Sequence, residues 1–207
     1  MKLVKIHVHK DDLPDSLELK GSVAIDTETL GLNPHRDRLC LVQLSDGSGV
    51  CHLVQISRDV APAPNLLKIL NDPKILKLFH YGRFDIAILY KTFGVLTTPV
   101  YCTKIASRLT RNFTSKHGLK NLCSELLDVE ISKQARASDW GQRTLAIEQQ
   151  NYAATDVLHL HELKEKLDVL LEREGRTELA QACFDFLPTC AKLDLLGYVD
   201  LDLFNHS

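Results

Sequence analysis

The stretch SVAIDTETLGL, Ser22 to Leu32, decides the fold and also poses its main difficulty. Val23-Ala24-Ile25 is a short apolar run of the kind that forms a buried strand. It leads straight into Asp26-Thr27-Glu28. Side chains at i and i+2 of a strand share a face, so Asp26 and Glu28 point the same way if the strand continues. Two like charges so placed repel, and burial raises the cost. Either the strand stops before Asp26, or something positive lies between the acids.

The pattern around this stretch places it in an α/β domain. Residues 22–27 are read as a strand. LCLVQLSD (39–46) and GVCHLVQI (49–56) follow as two more, joined at Asp46-Gly47-Ser48-Gly49, a hairpin signal. APNLLKIL (63–70) reads as a helix ended by Asn71-Asp72-Pro73, and KILKLFH (74–80) as a fourth strand. FDIAILYKTF (84–93) is a helix stopped by Gly94, and VYCTKIASRL (100–109) turns from strand to helix. The second half has helical periodicity: 118–127, a long helix over 147–174, and a last one over 177–187 that Pro188 should stop. The expected architecture is a three-strand antiparallel meander within a mixed sheet, flanked by helices, with a helical C-terminal half.

Composition narrows the function. The chain has 207 residues, 44% hydrophobic, enough for one sizeable core, and a formal net charge of −2 that excludes a globally basic nucleic-acid coater. The six cysteines, at 40, 51, 102, 123, 183 and 190, form no C-x-x-C pair and no zinc spacing. They read as reduced thiols of a cytoplasmic protein. The N-terminal MKLVKIHVHKDD is too short and too charged for a signal peptide. No apolar run approaches the roughly 20 residues of a membrane span.

Two further acids bear on the opening difficulty. Asp85 falls in the first turn of a helix, where a carboxylate favours the macrodipole. Asp156 falls on the long helix, four residues after Tyr152 and on the same face. Singly, each has an ordinary explanation. Together with Asp26 and Glu28 they are four carboxylates that need cations to meet. Hard divalent ions with oxygen ligands satisfy that need, and two ions about 3.5–4 Å apart would serve phosphodiester hydrolysis. Tyr152 could orient the attacking water.

Three segments carry a family resemblance. DTE (26–28), FHYGRFD (79–85) and YAATD (152–156) resemble, in order and spacing, the three motifs of the DEDDy-type 3′-to-5′ exonucleases of the RNase D superfamily. KHGLKNLCSELLDVEISKQARASDW (116–140) also looks like the RNase D segment between the second and third motifs. Nearly the whole length is similar to the nanoRNase C family, compact bacterial nucleases, and no room is expected for the extra RNA-binding domains of RNase D. Gly82 stands where many relatives have Asn.

The resemblance implies an RNase H-like sheet and a single exonuclease domain over 1–207, its C-terminal helix and tail from about 177 packing at subunit contacts. It implies catalytic Asp26, Glu28, Asp85, Tyr152 and Asp156, with the four acids holding two Mg²⁺ or Mn²⁺ ions. The substrate would be dinucleotides and very short RNA, cut to 5′-mononucleotides by a homo-oligomer, a ring such as an octamer. Leu32 would wedge between bases after a bend at Gly31, and Thr27, His80 and Arg83 are further expected substrate contacts. Lys104, Arg108, Arg111, Lys116, Lys120, Lys133 and Arg136 read as a phosphate-collecting rim or as a solvated face. Trp140 is read as a packing anchor. The apolar tail with Leu203 and Phe204 is expected to fold back or to meet another subunit. The alternatives are a general RNA 3′-end trimmer or DNA exonuclease, a silent nucleic-acid-binding module, and a phosphatase with Asp26 as nucleophile.

Overall fold

The strand does not stop at Asp26. In the computed structural model, which describes residues 4–131 and 138–198, β2 spans Ser22–Thr29. Val23, Ala24 and Ile25 are fully buried, so the apolar run anchors the strand while Asp26 and Glu28 extend from its C-terminal end. β2 pairs antiparallel with β3 (Leu39–Ser45), with Asp26 opposite Gln43 and Glu28 opposite Leu41. The register shifts between Glu28 and Thr29, an irregularity that re-aims the chain beside a site. β3 pairs antiparallel with β4 (Val50–Gln55), which completes the expected meander.

The other strands run parallel to their neighbours. β5 (Leu76–Phe79) lies beside β2, and β6 (Val100–Cys102) beside β5. The sequence reading starts the sheet at Ser22, but the structure adds β1 (Lys5–Lys10), parallel to β4 at the edge. The sheet order is β1-β4-β3-β2-β5-β6. His7 pairs with His52 in this register, and the rings of His7, His9 and His52 stack, with His9 Nε2 3.0 Å from His52 Nδ1.

Helices cover the sheet. α1 (Pro64–Asn71) precedes β5, and α2 (Arg83–Phe93) follows it, ending at a left-handed Gly94. α3 (Thr103–Thr110) continues directly from β6, and α4 is Leu119–Leu127. The expected long helix is two: α5 (Ile147–Leu158) and α6 (Leu160–Arg173), broken at His159. α5 packs on β2, β3 and β4, whereas α6 packs on α3 and α4, so the break divides one apolar stripe between two partners.

The last helix corrects the sequence reading most usefully. α7 runs over Thr177–Leu195, straight through Pro188. A proline inside a helix costs about 3 kcal/mol. Here Phe184, Leu187, Pro188 and Ala191 are all buried, and that apolar burial offsets the cost. α7 packs on α2, α3, α6 and β6 of its own chain. Leu203 and Phe204 of the tail lie outside the described residues. Among those described, no helix is long and apolar enough to cross a membrane.

One charge is locked into this core. Lys77 on β5 is fully buried, and its Nζ donates to the carbonyls of Asp72, Ile75 and Thr98 at 2.7, 2.9 and 2.6 Å. Three N–H donors meet three acceptors, which is the full valence of an ammonium.

Candidate active site

Side chains from well-separated parts of the chain meet in one cleft of about 720 Å³. β2 supplies Asp26, Thr27, Glu28 and Thr29, and the loop after it supplies Leu32 and Pro34. The β5–α2 turn supplies His80, Tyr81, Arg83 and Asp85. α5 supplies Tyr152 and Asp156. Lys104 of α3, Lys120 and Asn121 of α4, and Asp194 of α7 complete the lining.

Asp26, Glu28 and Asp156 each offer one carboxylate oxygen, and the three lie within 4.8 Å of one another. Strand alternation aims the first two from one face, and α5, packed on that face, brings the third. Asp85 lines the same cleft without belonging to this trio, and its charge acts on Asp26. It lies in the first turn of α2, buried, and accepts a 2.5 Å hydrogen bond from the Thr27 hydroxyl. Thr27 thus holds a carboxylate from the opposite side of the strand to its acidic neighbours.

The electrostatics mark the cluster as incomplete. Burial, and then the charges of Asp85, Asp156 and Glu28, raise the Asp26 carboxyl well above the usual range. Burial pushes Asp85 up to about 7 against the opposing hydrogen bonds from Thr27 and the backbone. Carboxylates held this close disfavour their own ionised forms. A hard divalent cation with oxygen ligands reverses that preference, and the donor set fits one.

Supporting groups fix these acids. The buried Gln43 amide donates to Asp26 across the strand pair at 3.3 Å. The buried Trp140 packs its ring 6.1 Å from that of Tyr152, as an anchor and not as an exposed platform. Gly31 does not have a left-handed backbone; a Cβ there would lie 2.3 Å from Asp37 Oδ2, so its role is close approach.

The β5–α2 turn forms the other wall. His80 Nδ1 lies 2.9 Å from the Thr103 hydroxyl, which itself donates to the Phe79 carbonyl at 3.2 Å. With that hydroxyl donating to Phe79, a proton on His80 Nδ1 would complete the chain and leave Nε2 as an acceptor. Burial, and then nearby Lys104, depress His80 to about 3, so the ring is neutral at physiological pH. Tyr81 has φ +68, a left-handed conformation that costs a bulky residue on the order of 1–3 kcal/mol. Arg83 donates to Asp194 through both Nε, at 2.6 Å, and Nη2. This bidentate pair ties the end of α7 to the start of α2, and it exists only because α7 passes Pro188. Gly82 is sterically required: a Cβ would lie 2.5 Å from Phe79 Cβ.

The expected basic rim divides. Lys104 and Lys120 line the cleft. Arg108 and Lys116 are exposed, but Arg111 is buried and paired with Glu125, a structural role. Lys133 and Arg136 lie outside the described residues. Leu32 is 86% exposed at the cleft mouth. Sequence reading missed Gln43, Tyr81 and Asp194. Only Gln43 carried a signal: an amide within a buried apolar strand.

The 3′-5′ exonuclease domain model matches residues 3–172. The chain belongs to the 3′-5′ exonuclease family. This exonuclease domain is 36% identical to ribonuclease D of Gluconacetobacter diazotrophicus over 164 residues, covering 79% of the chain and 41% of that protein. The chain thus spans about two fifths of the length of such relatives. Among solved structures it is similar to Brucella melitensis NrnC with bound Mg²⁺, at 55% identity and TM-score 0.93, covering 99% and 100% of the two chains. The same protein bound to pGG matches at 56% identity and TM-score 0.95, again over 99% and 100%. Escherichia coli RNase D matches at 28% identity and TM-score 0.75, over 84% of this chain and 45% of that one. The RNase H-like mixed sheet with flanking helices is the shared fold.

Proposed function

We propose that the protein is a metal-dependent 3′-to-5′ exoribonuclease that hydrolyses dinucleotides and very short oligoribonucleotides to 5′-mononucleotides. The observation that carries this reading is the convergence of Asp26, Glu28 and Asp156 within 4.8 Å on one wall of a bounded cleft whose other wall carries His80, Lys104 and Arg83. The Brucella structure bound to pGG supports the substrate class.

In this reading Asp26, Glu28, Asp85 and Asp156 hold two Mg²⁺ or Mn²⁺ ions. When bound, these supply an activated water and a clamp on the developing oxyanions. Water adds across the terminal P–O3′ bond. Its oxygen joins phosphorus, the released nucleotide keeps a 5′-phosphate, and the freed 3′-oxygen takes up a proton. Tyr152, buttressed by Trp140, orients the attacking water through its hydroxyl. Thr27 fixes Asp85, and Gln43 fixes Asp26. Leu32, exposed at the mouth, separates the two bases. His80 accepts from the substrate through Nε2. The Arg83 donors not used by Asp194 face a phosphate.

The protein acts as a cytoplasmic homo-oligomer, a ring such as an octamer, with residues 1–207 forming one nuclease domain. The exposed Leu179, Phe186 and Leu196 on and just after α7 support an association surface. The alternative, a general RNA 3′-end trimmer or a DNA exonuclease, draws on the ribonuclease D relatives. Turnover against RNA length from two to seven nucleotides, with and without a 5′-phosphate, separates the two. Rates falling steeply beyond the dinucleotide are expected. Comparable rates on two-mers and seven-mers would establish the trimmer instead.

A further inference from the structure

We infer that Tyr81 is a stacking platform for a nucleobase of the bound RNA, so that it sets affinity for short substrates. The inference rests on the exoribonuclease reading above and deepens it.

The turn from β5 to α2 is tightly constrained. Gly82 caps α2 and packs so closely on Phe79 that no side chain fits there. The residue before it, Tyr81, has a left-handed backbone at φ +68. Gly or Asn fills such a position at little strain, and a tyrosine does not. Ordinarily a strained aromatic is stabilised by burying its ring. Tyr81 is 53% exposed, so burial does not offset the strain. Strain that folding does not explain, placed at a cleft, is a mark of function.

The surroundings indicate which function. Tyr81 lines the cleft beside His80, and Lys104 Nζ sits 3.9 Å from the ring centroid. An exposed cation–π contact of this kind is too weak to account for the strained backbone. It does hold one ring face against α3 and restrict the ring's motion. Among the described residues no other aromatic ring stacks on Tyr81, so a π-face remains for a base. Aromatic rings at the edge of a nucleic-acid cleft beside a cation are suited to base stacking next to a phosphate.

The test uses the full chain with Mn²⁺ and pGpG, alongside two analogues that lack the base at the first or the second nucleotide. Tyr81→Gly should raise KM for pGpG about tenfold or more, with kcat within twofold. Tyr81→Asn, which tolerates the backbone but lacks the ring, should do the same, and Tyr81→Phe should restore wild-type KM. On one of the two abasic analogues, wild type and Tyr81→Gly should become equal. Both Gly and Asn variants should melt no lower than wild type, because strain has been relieved. An unchanged KM in Tyr81→Gly, with wild type hydrolysing pGpG normally, would overturn the platform and leave the exoribonuclease reading intact. Equal KM losses on pGpG and both analogues would overturn it too, since the ring would then act without a base. Absence of wild-type turnover on pGpG would remove the short-RNA reading and the platform together.

Discussion

Two ionisable groups on adjacent central strands have opposite surroundings. Lys77 lies on β5 opposite Val23 of β2, and Asp26 lies three residues further along β2. Lys77 is fully buried, yet every N–H of its ammonium meets a backbone carbonyl. Asp26 is less buried, receives one side-chain hydrogen bond from Gln43, and faces three other carboxylates. A buried charge whose valence is filled by the fold is part of the fold. A group of like charges that the fold draws together without neutralising is a site awaiting a ligand.

The largest expected effect removes the unneutralised charge. Asp26→Asn keeps the shape and the Gln43 neighbour but deletes a proposed metal ligand. Turnover of short RNA should fall by roughly 10³-fold or more, on the scale of removing a principal electrostatic contribution. Without divalent ion the variant should melt at or above the wild-type temperature, because one repelling charge is gone. Mn²⁺ at about 100 times its Kd should stabilise the wild type by about 2.7 kcal/mol. It should stabilise Asp26→Asn far less. Calorimetric melts with and without Mn²⁺, beside a turnover assay, check both halves. Full turnover in Asp26→Asn would break the comparison at its root.

Lys77→Met inverts the experiment. Met has a similar length but no donors, so three carbonyls lose their partner, the buried one of Ile75 among them. Leaving a buried acceptor without its donor costs about 1–3 kcal/mol. Chemical denaturation should show that loss, while turnover by the remaining folded protein stays near the wild-type value. A Lys77→Met protein as stable as wild type would show that the ammonium is tolerated and not used.

The same contrast explains what was legible in the sequence. Asp26 and Glu28 were readable because strand alternation fixes their common face, and Asp85, Tyr152 and Asp156 because helix position and motif spacing fix theirs. The meander was readable from its hairpin signal. Lys77 was not: it sits in KILKLFH like any strand lysine, and its acceptors are loop carbonyls at Asp72, Ile75 and Thr98. Pro188 misled because a local rule was overridden by burial on both sides of it, and with the helix end went Asp194 and its pairing with Arg83. The break at His159 was hidden because α5 and α6 share one apolar periodicity. β1 carries a signal, the alternation of Ile6 and Val8 with polar residues in KIHVHK, but as an edge strand it leaves Val8 exposed and has no clean apolar face.

A third kind of buried ionisable group stays neutral, and it gives the smallest predicted effect. His52 is buried on β4 against His7 and His9 of the edge strand, with the Asp46 carboxylate the one nearby charge that favours its protonation. Burial, and then His9 and His7, lower its pKa to about 4, below the ordinary 6.5. The folded state therefore resists a proton that the unfolded chain accepts. Stability is retained above about pH 6.5 and lost as the pH falls from there toward 4. Between pH 7.5 and pH 5 the loss from this one group is about 2 kcal/mol. His52→Leu should flatten that part of the stability–pH curve, because the group that resists protonation is gone. Denaturant midpoints at the two pH values, for wild type and variant, measure it. An equal acid loss in both proteins would place the acid sensitivity elsewhere, with His80, depressed to about 3 beside the cleft, the next group to replace.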